Sequence, residues 1–292
     1  MSLPAAPSDA TLRALIAAEQ RPVGDRASAL IDVIRQRHGP AIRALLFYGS
    51  SRRAGEQSGK MLDFYVLVDT YRAVYGRGLK RIGAFIAPPG VHYCEADGPG
   101  GERLRSKYSI VSLKAFQRRA RGGAFESMLW ARFAQPTLIV CDDPDLHEDL
   151  IETLAYAVKH YLGETAPLLA GEVEPEALWQ RCLVESYRSE LRPEDPEGRA
   201  AQIVANDADR YAALARANYP TGPDGTLQLA DAGVWRRNRT RLRWFWRRVI
   251  GKPMGAFRVV KAFFTFDDGL NYIIEKISSH SGVEITLSER ER

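Results

Sequence analysis

The sequence predicts an α/β (α+β) protein, with a mixed sheet and flanking helices in its first half and mostly helices in its second. Three observations point there. Short, nearly continuous apolar runs bounded by turn residues recur up to about residue 141, as strands covered on both faces would. Helical apolar spacing lies between and before them. From 146 to about 219 the spacing is mostly helical, broken at Pro167, Pro175, Pro193 and Pro220.

Taken in order, 9–18 and 27–37 read as amphipathic helices, with Asp9 and Asp25 as N-caps. Residues 42–48 and 62–68 are apolar strands. Residues 91–94 and 108–111 are two more, joined by the turn-rich Asp97-Gly98-Pro99-Gly100-Gly101. Ser112 caps a helix running towards Arg121, residues 126–133 form another, and 137–141 is a strand ending in Asp142-Asp143-Pro144. Thr221-Gly222-Pro223-Asp224-Gly225 is a loop, followed by a basic, aromatic helical region and a last helix near 269–278. Two domains are expected, 1–145 and 146–292, the second holding the basic aromatic segment at about 235–262.

Composition narrows the classes. A chain of 292 residues with formal charge +5 is long enough for one large or two modest cores. Three scattered cysteines, Cys94, Cys141 and Cys182, make neither a disulfide framework nor a zinc site, which fits a reducing compartment. No apolar run is long enough to cross a bilayer, and the first 22 residues lack the apolar stretch of a signal peptide. A cytoplasmic protein, peripheral to the inner membrane, is expected.

The chemistry is concentrated at Phe47-Tyr48-Gly49-Ser50 and Met61-Leu62-Asp63-Phe64. A glycine lets backbone approach phosphate oxygens, and serine hydroxyls with nearby N–H groups donate to them. An aspartate opening the next strand supplies a hard oxygen for Mg²⁺, which is commonly held by one or two carboxylates plus substrate phosphates. Nucleotidyltransferases use such an arrangement; a hairpin turn before a core strand with a surface Asp is the other reading of the same residues. The usual second carboxylate, two residues on, is replaced by Tyr65. Asp69 shares the face but lies roughly 20 Å along an extended strand. Arg52, Arg53 and Lys60 flank the loop, and Lys107 before Tyr108 can meet a phosphate as a point charge. Tyr187 and Glu190 share a helix face, as do Arg188 and Arg192.

The stretch 235–261 carries ten basic residues, among them Arg236, Arg239 and Lys261, interleaved with Trp235, Trp244, Phe245 and Trp246. No acid occurs between Asp231 and Asp267. Such a composition suits an anionic membrane surface. It also suits nucleic acid, or a solvated basic helix whose tryptophans are core.

Together these residues resemble the mitochondrial-type phosphatidate cytidylyltransferases, the translocator assembly and maintenance family of CDP-diacylglycerol synthases. The likeness is an ordered set of short matches over about residues 45–268: Tyr48-Gly49-Ser50, Met61-Leu62-Asp63-Phe64, Lys107-Tyr108-Ser109-Ile110-Val111-Ser112, Met128-Leu129-Trp130, Tyr187-Arg188-Ser189-Glu190-Leu191-Arg192, and Lys261 before Phe264-Thr265. Ser51 stands where the family has a second glycine, Glu190 replaces an aspartate, and Tyr71-Arg72 stand where a tryptophan-histidine feature is expected.

The resemblance implies a nucleotidyltransferase-like domain followed by a winged-helix-like helical one. It implies Mg²⁺-dependent transfer of CMP from CTP to phosphatidate at a membrane surface, releasing pyrophosphate. Asp63 would hold metal with Asp69 or Glu190. Gly49, Ser50, Ser51, Lys107 and Tyr108 would hold the nucleotide, and Arg192 and Lys261 would meet phosphates of CTP or lipid. A bacterial homologue, with a homodimer compatible, is the form expected. Nucleotidyl transfer to RNA or a small molecule, and a catalytically inactive lipid- or nucleotide-binding adaptor, are the alternative expectations.

Overall fold

Five strands carry the centre of the molecule: β1 (Ile42–Tyr48), β2 (Leu62–Val68), β3 (Gly90–Asp97), β4 (Arg103–Ser112) and β5 (Thr137–Val140). The structure, a computed structural model, describes residues 9–49, 61–76, 90–191 and 194–265, with side chains to 257. The sheet order is β3-β4-β2-β1-β5. β2 and β4 run parallel, and the other neighbours are antiparallel. The mixed α+β architecture read from the sequence is the one present.

The central strand β2 is buried on both faces beyond Asp63, which is why its sequence reads as an unbroken apolar run. One face is covered by α2 (Asp25–His38), whose Ala27, Leu30, Ile31 and Ile34 recur at helical spacing against Phe47, Phe64, Val66, Tyr108 and Ile110. The opposite face carries Leu46, Tyr65 and Leu67. These pack under α1 (Asp9–Ala18), α4 (Leu113–Ala120), α5 (Met128–Phe133) and α6 (Pro144–Thr165). The short α3 (Tyr71–Tyr75) follows β2. That second core continues through Trp130 and Tyr161 to Trp179, Tyr211 and Trp244, so segments before and after residue 145 share it.

The remaining elements are α7 (Pro175–Ser189), α8 (Pro196–Asn206), α9 (Ala208–Arg216), the two-stranded β6 (Gly171–Val173) and β7 (Leu227–Leu229), and α10 (Gly233–Thr265). Proline opens α6, α7 and α8, where its missing N–H costs nothing. Asp143 and Asp195 cap α6 and α8 through their carboxylates, and Ser112 caps α4. Pro167 lies in a 3₁₀ turn, as a helix breaker should.

Some expectations need correcting. Gly24, not Asp25, is the N-cap of α2, and Asp25 sits in the first turn, where its charge complements the helix dipole. β3 and β4 form a hairpin much longer than their apolar centres. Its polar ends are held by Arg103 pairing with Glu95 at 2.5 Å and Asp97 at 3.5 Å. Edge strand β5 is closed by Gln20, which donates to Thr137 O at 3.2 Å and accepts from Ile139 N at 2.9 Å, imitating a neighbouring strand. Among the described residues no helix is long and apolar enough to cross a membrane. Pro193 and the helix expected at 269–278 lie outside the described residues.

Candidate active site

β1 and β2 are consecutive antiparallel strands, so the end of one returns beside the start of the other. Tyr48 pairs with Asp63, and Asp63 pairs in turn with Lys107 on parallel β4. Paired residues on neighbouring strands share a face, so Tyr48, Asp63 and Lys107 all lie on the side covered by α5 and α6. Gly49 follows with φ +86°, a backbone state that a side chain would strain, and a Cβ there would stand 3.5 Å from the Asp63 carboxylate. The bend and the carboxylate are therefore in direct proximity.

Arg132 completes the group, and sequence reasoning missed it. It is a partly buried cation on α5, where Leu129, Trp130, Ala131 and Phe133 are all buried. Its Nη1 donates to Tyr65 Oη at 3.2 Å, and its guanidinium lies 5.4 Å from the Tyr48 ring centroid and 5.9 Å from that of Tyr65. Burial alone would lower the arginine pKa. Tyr65, Tyr48, Glu190 and Asp63 outweigh it and hold the charge on well above the usual value. Burial also pushes the Tyr48 phenol upward, with Arg132 opposing that and Asp63 reinforcing it. Asp63 and Glu190 thus act on one cation although they come from opposite halves of the chain. The readable signal was a lone arginine embedded in an otherwise buried helix.

Glu190 follows the end of α7, and its surroundings are tightly specified. Its N–H donates to Tyr187 O at 3.1 Å. The preceding Ser189 hydroxyl donates to Ser186 O at 2.7 Å and meets the Ser127 hydroxyl at 2.9 Å, tying the start of α5 to the end of α7. On the other side α10 crosses so closely that a Cβ on Gly251 would come 2.1 Å from Ser189 O, and one on Gly255 3.1 Å from Leu191 Cβ. Gly251→Ala is expected to destabilise the protein by about 1–3 kcal/mol, the usual cost of overpacking. Gly163→Ala, on α6 with nothing within 4 Å, should be neutral or stabilising by up to about 1 kcal/mol. Thermal melts of the two variants check this. A Gly251→Ala protein as stable as wild type would refute the close crossing.

Two predicted site residues are not brought here. Asp69 follows the end of β2, six residues from Asp63 and roughly 20 Å away for extended chain. It is exposed and pairs with Arg43 at 3.0 Å, with its N–H on Ala41 O. Tyr108 follows Lys107 and so points to the opposite face. There it accepts from Arg37 at 3.1 Å, meets His38 Nε2 at 2.9 Å and stacks on His92. Ser50, Ser51, Arg52, Arg53, Lys60 and Arg192 lie outside the described residues. Lys261 lies on the backbone of α10, beyond the described side chains.

Among the described residues no group of three or more acidic, histidine or cysteine side chains could cage a metal. A Mg²⁺ ion held by one or two carboxylates and completed by phosphate oxygens needs fewer protein donors, and Asp63, beside Gly49, could be one of them. No known family model matches the chain, and no curated protein compared with it matches either.

Proposed function

We propose that the protein is a Mg²⁺-dependent nucleotidyltransferase that moves CMP from CTP to phosphatidate at a membrane surface, giving CDP-diacylglycerol and pyrophosphate. The observation that carries the reading is Gly49, at positive φ, facing the Asp63 carboxylate across one strand pair. A phosphate bound at the bend would lie beside a hard anionic ligand, with Lys107 in register on the same face. Mg²⁺, when bound, would neutralise triphosphate charge and would be held by Asp63 and Glu190.

The chain's own residues suit a reaction that needs alignment more than acid–base chemistry. Phosphatidate already presents an anionic oxygen, so no strong general base is required, and catalysis rests on positioning and charge. Arg132 holds a positive charge that both Asp63 and Glu190 act on. It also supplies a fixed positive end for the phosphates. The acceptor is read from the ordered motif resemblance together with the exposed basic and aromatic side of α10.

The test is incubation with Mg²⁺ and phosphatidate in mixed micelles, with each labelled nucleoside triphosphate in turn. Label appearing on lipid, most strongly from CTP, is expected. Label on added RNA would move the activity to another acceptor, and no transfer to any acceptor would overturn the reading.

A further inference from the structure

Helix α10 has two unlike sides. Inward, Trp244 is 1% exposed and donates Nε1 to Glu164 O at 3.0 Å. Arg247, 2% exposed, pairs with Glu164 at 2.5 Å, with its guanidinium 4.6 Å from the Trp244 ring centroid. Arg243 also pairs with Glu164, and Arg248 with the buried Glu185. Outward, Trp235 is 90% and Trp246 48% exposed, and Leu242, Val249 and Phe257 are exposed with them. At ~100° per residue these five fall within about 80° of arc, opposite Trp244 and Gly251. Arg239 stands on the margin of that arc, and Arg236, Arg241 and Lys252 flank it about 100–120° from its centre; all four are exposed and make no ion pair with a described residue. The helix contains no acid.

The geometry points to an in-plane docking helix: α10 lies on an anionic lipid bilayer, with Trp235, Leu242, Trp246, Val249 and Phe257 at the headgroup–acyl boundary and the four cations among the headgroups. An apolar stripe bordered by basic side chains on a 33-residue helix is the pattern such helices show. A nucleic acid would use the cations and the indoles, but it has no use for the aliphatic members, and it favours a groove over a convex helix. A second copy of the chain would set these cations against their own kind. The assignment deepens the reading above and rests on it only for its consequence. The inner side of α10 backs onto Ser189 and Leu191, so docking would hold Glu190 about one helix diameter, roughly 10 Å, from the bilayer surface.

Sedimentation of the full chain with vesicles tests the docking without turnover, so a failed transfer assay and a failed docking are separate results. Phosphatidylcholine vesicles are compared with phosphatidylcholine–phosphatidylglycerol vesicles, and brominated acyl chains report indole depth. Binding to the anionic vesicles only, with quenched tryptophan fluorescence, is expected. Trp235→Glu/Trp246→Glu should weaken it at least about tenfold, since two indoles leave the apolar layer. Both side chains are exposed, so an unchanged melting temperature should accompany the loss. Arg236→Ser/Arg239→Ser/Arg241→Ser should weaken binding and flatten its salt dependence. Equal binding to the uncharged vesicles, binding indifferent to the tryptophan pair, or binding to single-stranded RNA but not to vesicles would each overturn the assignment.

Discussion

Asp63→Asn is expected to reduce nucleotidyl transfer by about 10³-fold, the upper end of the cost of removing one preorganised electrostatic group. The substitution keeps size and polarity while removing the charge that faces Gly49. Melting should stay within a few degrees of wild type, because Asp63 is partly exposed and the strand it opens is fixed by pairing on both sides. Asp69→Asn is the matched control. It breaks an exposed pair with Arg43, of a kind worth at most about 1 kcal/mol, and should change activity by less than roughly threefold. If Asp63→Asn keeps a tenth of the activity, or if Asp69→Asn falls as far, the site has been misplaced.

Arg132→Met should destabilise the fold as well as the reaction. Methionine fills most of the volume, so the loss reports the missing charge and fork of donors rather than a void. Asp63 and Glu190 would then lose the cation that both act on. Removing one partner of a buried charged group costs about 3–5 kcal/mol. The lower figure suits a residue still partly reached by solvent. For a chain of this length about 3 kcal/mol corresponds to a fall of roughly 6–12 °C in melting temperature. Adding Glu190→Gln removes one of the stranded charges and should recover part of that loss, a coupling that additive sites would not show. A single variant melting within about 2 °C of wild type, or a double variant worse than the sum, would remove Arg132 from the centre of the site. Arg132→Lys should not restore activity, since an ammonium cannot reproduce the planar contacts to Tyr48 and Tyr65.

The strands were legible because burial on both faces leaves an apolar run that composition alone exposes, and β1 and β2 were read to the residue. The approach of Gly49 to Asp63 was also legible, since consecutive antiparallel strands must return the bend to the neighbouring strand's start. What failed failed for geometric reasons. Sequence proximity groups Lys107 with Tyr108, but adjacent strand residues point apart, and the pleat sends the tyrosine to Arg37 and His38. Asp69 shares a face with Asp63 but not an end of the strand. The partnership of Arg132 with Glu190 depends on how α5 meets the end of α7, through Ser127 and Ser189, and no local pattern encodes that meeting. In α10 composition groups the tryptophans, whereas helical phase separates Trp244 from Trp235 and Trp246.

Glu164 and Glu185 grip arginines of α10 from two other helices, and that grip fixes the rotation of a long rod about its own axis. Which chemistry the rod shows to the outside is therefore set in part by carboxylates it does not own. Removing either charge, on α6 or α7, would loosen that hold without altering a residue of the rod itself. Engineering of this protein's outer character should begin with those two glutamates.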